Sequence, residues 1–250
     1  STPVDEQTRA RTPEKRMRRQ IIAMGGGGFS MEPENPLLDD YVLGLTGKAT
    51  PRVCFLPTAS GDAEGYVERF HVAFAGRAET SVLHLFRRTV KDLEAFVLAQ
   101  DVIYVGGGNT ANMLAVWRVH GLDRILGKAW NAGVILCGLS AGALCWFEGG
   151  VTDSFGAGLA PLHDGLGLLP GTFCPHYDGE ALRRPTFEGL VRDGGLAGGW
   201  AADDGVGLHF EGAELVGVVS SRAEAAAFRL ERGKDGALGV RILKPTPLAG

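Results

Sequence analysis

The 250-residue chain contains no apolar run approaching the ~20 residues of a membrane-spanning helix, and its first twenty residues lack the apolar core of a secretion signal. The expectation is a cytoplasmic protein without a membrane partner. Cysteine is scarce: Cys54, Cys137, Cys145 and Cys174 show no Cys-x-x-Cys spacing, and three of them sit in or beside apolar segments. They read as reduced, buried small hydrophobes rather than as disulfides or zinc ligands, with Cys174, two residues from His176, a candidate for lining a site. Positive charge is also lacking. Lys and Arg number 25 against 29 Asp and Glu, a net charge of -4, which argues against nucleic acid as the main partner. The cations that do cluster, Arg9, Arg11, Lys15, Arg16, Arg18 and Arg19, lie in a polar N-terminal stretch, and residues 1–18 read as a solvated tail leading into a first strand. No His, Asp or Glu cluster has ligand spacing, so no metal is expected.

What the chain has in abundance is glycine, 38 residues, and enough apolar residues, 45%, to build a full core. The stretch around which the rest is organised is Val134-Ile135-Leu136-Cys137-Gly138-Leu139-Ser140-Ala141-Gly142-Ala143-Leu144. A short β-branched run breaking into Gly-x-Ser-x-Gly, then into small helix-compatible residues, reads as a strand, a sharp turn and a helix. Such a nucleophile elbow lifts the Ser140 hydroxyl above the sheet edge. It also aims the N–H of Ala141 and the positive end of the following helix at a developing oxyanion.

Upstream, strands over residues 19–24, 52–56, 81–86 and 101–105 alternate with helical patterns such as Leu37, Leu38, Tyr41, Val42 and Leu45. This alternation predicts a doubly wound, mostly parallel α/β sheet with helices on both faces. After the elbow the pattern loosens through a glycine-rich segment over 148–165, a helix is expected over 183–192, and short strands from Gly199 onward predict antiparallel strands at the C-terminal end. The domain reading is a single domain over 19–250.

Two glycine runs follow strands. Gly25-Gly26-Gly27-Gly28 lacks the third fingerprint glycine of a dinucleotide site, so no cofactor is expected, and the run reads as a close approach to a ligand or to a neighbouring loop. Gly106-Gly107-Gly108-Asn109-Thr110 can leave backbone N–H groups free to serve as a second oxyanion donor. Ser140 needs a base, and His176 has the best context, a turn bounded by Pro175 and Gly179; His209, alternating with apolar residues in a strand, reads as solvent-facing.

With these four stretches (Gly106 to Thr110, Gly138 to Ala143, Pro175-His176-Tyr177 and Asp204-Gly205, in that order) the chain resembles peptidase E, serine exopeptidases related to cyanophycinase with a class I glutamine amidotransferase-like fold. The resemblance implies Ser140 as nucleophile, His176 as base and then acid, and Gly107 or Gly108 with Ala141 as the oxyanion hole. It implies an acidic orienter at Asp204, where the family often carries Glu, with Asp153 as a second acidic candidate. It also implies a carboxylate-binding arginine near Arg183 and Arg184, with Asn109 and Tyr177 among the substrate-binding residues. The expected substrate is a dipeptide or short peptide, an N-terminal aspartate being one specificity and a C-terminal carboxylate the other. A glutamine amidotransferase would carry Cys at position 140, and a non-catalytic module of the same fold would have no reason to combine Ser140, His176 and Asp204. A homodimer is compatible with the sequence, which does not set the oligomeric state.

Overall fold

The structure, a computed structural model, describes residues 17–250. Arg9, Arg11, Lys15 and Arg16, and so most of the expected basic tail, lie outside the described residues. The chain runs β1 (Gln20–Met24), α1 (Gly28–Met31), α2 (Leu37–Leu45), β2 (Arg52–Leu56), a 3-10 turn (Thr58–Ser60), α3 (Glu64–Phe74), β3 (Glu79–Val82), α4 (Leu93–Leu98), β4 (Val102–Val105), α5 (Thr110–His120), α6 (Leu122–Asn131), β5 (Ile135–Leu139) and α7 (Ala141–Leu144). It continues with β6 (Phe147–Thr152), β7 (Ala160–Leu162), β8 (Leu169–Cys174), α8 (Arg183–Arg192), β9 (Gly199–Ala202), β10 (Val206–Glu211), β11 (Glu214–Ser220), β12 (Ala227–Arg232), β13 (Leu238–Leu243) and β14 (Thr246–Pro247).

The main sheet has the order β14-β11-β10-β1-β5-β4-β2-β3, and its central block β1-β5-β4-β2-β3 is parallel. The period-two alternation of these strands explains their burial on both faces. Ile21, Ala23, Ile103 and Val105 point to one side, where Met113, Trp117 and Leu126 of α5 and α6 cover them. Ile22, Met24, Val102 and Tyr104 point to the other side and meet Phe29, Val42, Phe70 and Phe74 of α1, α2 and α3. The helices begin and end where local chemistry dictates: the Asp92 carboxylate accepts the Ala95 N–H at 3.0 Å to start α4, and Gly121 at φ +70° closes α5.

The doubly wound parallel sheet matches expectation, and β10 and β11 extend it as antiparallel strands. What the sequence pattern missed is a second sheet of order β13-β12-β9-β8-β6-β7, which includes the glycine-rich stretch after the elbow. Its glycines hide the strand signal because they serve close strand approach. A Cβ at Gly149 would stand 2.0 Å from the carbonyl oxygen of Leu162 on the neighbouring strand segment. One face of this second sheet packs on the main sheet, with Phe147 stacked on Phe173 at 5.0 Å and edge-on to Phe210 of β10 at 5.9 Å. The other face carries α8 through Val151, Phe187, Val191 and Phe228. Each fully buried phenylalanine of this kind stabilises by roughly 1.5–3 kcal/mol relative to exposure.

Three local readings change. The strand expected over 81–86 leaves the sheet after Val82, because the N–H groups of Leu85 and Phe86 turn to Asp62 Oδ2 at 2.9 and 3.0 Å. His209 is buried rather than solvent-facing: β10 is flanked by β1 and β11, and the ring bridges Tyr41 Oη (2.7 Å) and Gln20 Oε1 (3.0 Å). All four cysteines are buried and free, and the Cys174 thiol turns inward to the carbonyl oxygens of Pro175 and Arg183.

Candidate active site

Ser140 follows β5 in a conformation of φ +55° and ψ -117°, which a side chain with a Cβ rarely adopts. Such a position costs about 1–3 kcal/mol and persists only where its surroundings hold it. Here Ser140 donates its N–H to Met24 O (3.2 Å), and its own carbonyl accepts the Ala143 and Leu144 N–H groups that start α7. The flanking glycines of the motif are required by space. A Cβ on Gly138 would lie 2.3 Å from Gly142 O, and one on Gly142 would lie 2.1 Å from Val105 O. The helix itself is a single turn, because β6 starts at Phe147.

His176 follows β8, also at positive φ (+52°), and donates its N–H to Gly25 O at 3.1 Å. Its Nδ1 lies 2.6 Å from Asp204 Oδ1, with both side chains largely withdrawn from solvent. Burial alone would raise the Asp204 pKa, but the hydrogen bond from His176 and the charges of His176, Arg222 and Arg183 outweigh it and hold the carboxyl below its usual range. An ionised Asp204 accepts the proton on Nδ1. Nε2 is then left as the acceptor, the tautomer a general base needs.

The carboxylate is seated by the backbone around it. Asp204 N–H donates to Asp178 Oδ1 at 2.8 Å, and Gly205 N–H donates to Gly26 O at 2.9 Å. Gly26 and Gly179 flank the carboxylate so closely that a Cβ on either would stand 2.1 or 2.2 Å from an Asp204 oxygen. The first glycine run thus does the second of the two jobs expected of it. Three consecutive carbonyls, of Met24, Gly25 and Gly26, receive the N–H groups of Ser140, His176 and Gly205 in turn. One extended segment holds all three turns at the carboxyl edge of the sheet, the usual location of sites in open α/β folds.

The second glycine run lies against the serine. The position a Gly107 Cβ would take is 3.5 Å from Ser140 Cβ and 3.9 Å from its Oγ. Gly107 donates its N–H to Tyr66 Oη at 3.1 Å, whereas neither Gly108 N–H nor Ala141 N–H meets an acceptor among the described residues.

The remaining candidates fall into different places. Asn109 caps α5 through Oδ1 to the Asn112 N–H (2.9 Å) and donates Nδ2 to Ser154 O (3.1 Å), so its polar atoms tie the loop after β6 to the glycine run. Asp153, in that loop, is exposed and makes no hydrogen bond or ion pair among the described residues; the imidazole nitrogen it could have taken is occupied by Asp204. Arg183 is buried, donating Nε to Glu180 Oε2 (2.6 Å) and Nη1 to Val151 O (3.0 Å), so its fork is already engaged. Tyr177 is buried beneath α8 and donates its hydroxyl to Glu188 Oε1 at 3.1 Å. Arg184 is exposed, and its guanidinium carbon lies over the rings of Tyr177 (4.4 Å to the centroid) and Phe228 (4.7 Å) with no acceptor among the described residues. Sequence reasoning did not single out Tyr66, Asp178 or Arg222. Only Tyr66 left a signal, as a polar-tipped residue on the apolar face of α3.

Comparison with known proteins finds peptidases. The family model of Peptidase family S51 matches residues 21–218. An uncharacterized peptidase, YgaJ, of Bacillus subtilis (strain 168) is 54% identical over 213 residues, covering 85% of this chain and 92% of that protein. Peptidase E of Pasteurella multocida (strain Pm70) is 27% identical over 186 residues, covering 71% of this chain and 77% of its own. The crystal structure of a peptidase from an acI-B1 actinobacterium superposes with a TM-score of 0.69 at 17% identity, covering 92% of this chain and 96% of that one, which shows a common fold.

Proposed function

The chain belongs to peptidase family S51 and is a serine peptidase of the peptidase E type with the class I glutamine amidotransferase-like fold, and from that premise we propose that it is an exopeptidase acting on dipeptides or short peptides through Ser140, His176 and Asp204. The observation that carries this reading is the 2.6 Å contact of His176 Nδ1 with Asp204 Oδ1, made by a histidine whose turn hangs beside that of a strained serine. His176 Nε2 takes the Ser140 proton, Oγ attacks the scissile carbonyl, and the oxyanion meets backbone N–H groups of Ala141 and the glycine loop. His176 then protonates the leaving amine, an acyl-enzyme remains on Ser140, and a water activated by the same imidazole releases it. Among the described residues no helix is long and apolar enough to cross a membrane, and no group of three His, Cys, Asp or Glu side chains is arranged to hold a metal ion.

An exopeptidase of this kind must recognise a substrate carboxylate, and of the two adjacent arginines Arg184 suits that role. Cation–π contact with Tyr177 and Phe228 holds the guanidinium in place while leaving its N–H donors unspent, so a carboxylate can be bound bidentately. Whether that carboxylate is an aspartate side chain or a peptide C-terminus is decided by assay. Hydrolysis of Asp-Leu, Ala-Leu, a longer peptide with a free C-terminus and its amide is followed by mass spectrometry. The wild type is compared with Ser140→Ala and Arg184→Ala. Cleavage of Asp-Leu alone defines an aspartyl dipeptidase; stepwise loss of C-terminal residues, blocked by amidation, defines a carboxypeptidase. In either case Ser140→Ala abolishes turnover, and Arg184→Ala raises KM by about 10- to 100-fold, the worth of a hydrogen-bonded charge pair. Turnover surviving in Ser140→Ala refutes the triad.

A further inference from the structure

The glycine loop that faces Ser140 is pinned at three of its four backbone N–H groups. Gly106 donates to Leu56 O (3.2 Å), Gly107 to Tyr66 Oη (3.1 Å) and Asn109 to Ala59 O (2.8 Å). Two of these acceptors are main-chain carbonyls supplied by the fold. The third is a side-chain hydroxyl, Tyr66 Oη, which reaches the loop from α3 and is itself hydrogen-bonded to Ser30 Oγ of α1. Gly108 is exposed, sits at φ +139°, and has Ala59 O within 2.2 Å of where its Cβ would be. Its N–H is the one left without an acceptor among the described residues. The peptide that carries this N–H lies between a peptide held by Tyr66 and a peptide held by Ala59, so its direction follows from theirs.

We propose that the Tyr66 hydroxyl, braced by Ser30, is a positioning group for the oxyanion hole: by taking the Gly107 N–H it turns the loop so that the Gly108 N–H, paired with the Ala141 N–H, is what the tetrahedral oxyanion meets. The inference rests on the acyl-transfer reading above and selects Gly108 over Gly107 as the donor. The ring of Tyr66 has a separate role. It packs among Phe29 and Phe55 at 5.7 and 5.0 Å, so removing the hydroxyl alone leaves that packing in place. A donor that must be aimed before reaction is valuable because preorganisation avoids reorganisation as charge develops.

The test is Tyr66→Phe, with Ser30→Ala as a second variant that leaves the ring untouched, on whichever substrate the panel identifies. Direct removal of an oxyanion donor costs about 100- to 1,000-fold in kcat, and misaiming one is expected to cost about 10- to 100-fold. Tyr66→Phe is therefore expected to lower kcat by that factor with KM within about twofold, and Ser30→Ala to lower it less. A peptide aldehyde, which forms a tetrahedral oxyanion on the serine, is expected to lose affinity in proportion to kcat/KM. The matching peptide alcohol, which forms none, keeps its affinity. A lowered melting temperature with kcat and aldehyde affinity unchanged would make Tyr66 a packing residue only and overturn the inference. Ser140→Ala is assayed alongside: its inactivity beside a fully active Tyr66→Phe overturns the Tyr66 assignment alone, and its continued activity overturns the triad and this inference together.

Discussion

The two glycine runs resemble each other in sequence and differ in what their backbones do. Each leaves the carboxyl end of a parallel strand of the main sheet, Gly25 to Gly28 after β1 and Gly106 to Gly108 after β4. The first is buried and works with carbonyls: those of Gly25 and Gly26 receive the N–H groups of His176 and Gly205, next to the Met24 carbonyl that receives Ser140 N–H. The second reaches the surface at Gly108 and works with N–H groups, all engaged by the protein but one. Glycine is needed in the first because protein lies against protein, with the Asp204 carboxylate where a Gly26 Cβ would go. In the second it is needed at Gly106, where a Cβ would stand 2.9 Å from the Tyr66 ring, and at Gly108, whereas Gly107 has ordinary van der Waals room. A glycine run at a strand end thus signals close backbone approach without saying whether the neighbour is the chain or a ligand.

The same substitution breaks one loop and spares the other. Gly26→Ala forces its methyl onto Asp204 Oδ1, displacing the acid from His176. It is expected to lower kcat/KM by about 100-fold or more, by analogy with the loss when a triad acid no longer orients its histidine. Gly107→Ala, at negative φ with 3.5 Å to Ser140 Cβ, is expected to keep its melting temperature and lose about tenfold or less in kcat/KM. Equal losses in the two variants would dissolve the distinction between a supporting loop and a substrate-facing one.

A smaller effect sharpens the comparison from beneath the first loop. Asp39 is buried there, accepting hydrogen bonds from Phe29 N–H and Tyr104 Oη, both at 2.8 Å. Burial raises its pKa to about 6, from 3.8, against the lowering effect of those two bonds and of Arg77. The folded state therefore holds a proton that the unfolded state has lost, and stability falls as pH rises from about 4 through 6, by at most about 3 kcal/mol. Asp39→Asn is expected to remove this slope in urea titrations between pH 4.5 and 7, because Tyr104 can reverse its hydroxyl to accept from the amide. A slope unchanged by the substitution would mean that the carboxyl is not the titrating group. His209, on the strand paired with β1, acts in the opposite direction and more weakly. Burial lowers its pKa below 6.5, so the unfolded state takes up a proton first and stability is lost as pH falls below 6.5. His209→Gln is expected to abolish that acid-side loss, and a calorimetric series from pH 7 to 5 measures it.

The main-sheet strands, the crossover helices and the elbow were legible because each depends on local pattern: period-two apolar runs, 3.6-residue stripes, and a serine between two glycines that must close a turn. The pairing of His176 with Asp204 was legible only as candidates, since hydrogen-bond reach across 28 residues is set by where two strands of the second sheet end. That sheet was legible only in its later strands β9, β12 and β13, because the glycines that let β6 and its neighbours approach suppress the β-branched signal that would have announced the rest. Arg183 and Arg184 show the same limit at the scale of one residue. In sequence they are equivalent neighbours, and only the helix they share turns one inward to Glu180 and Val151 and the other outward over Tyr177 and Phe228. The sequence by itself therefore determined the fold class, the serine and the roles its neighbours must fill. The tertiary structure decided that His176 and Asp204 meet, that Arg183 is engaged while Arg184 is not, and which loop N–H is without an acceptor among the described residues, because long-range packing sets where each turn ends and every contact it makes uses up a donor or an acceptor.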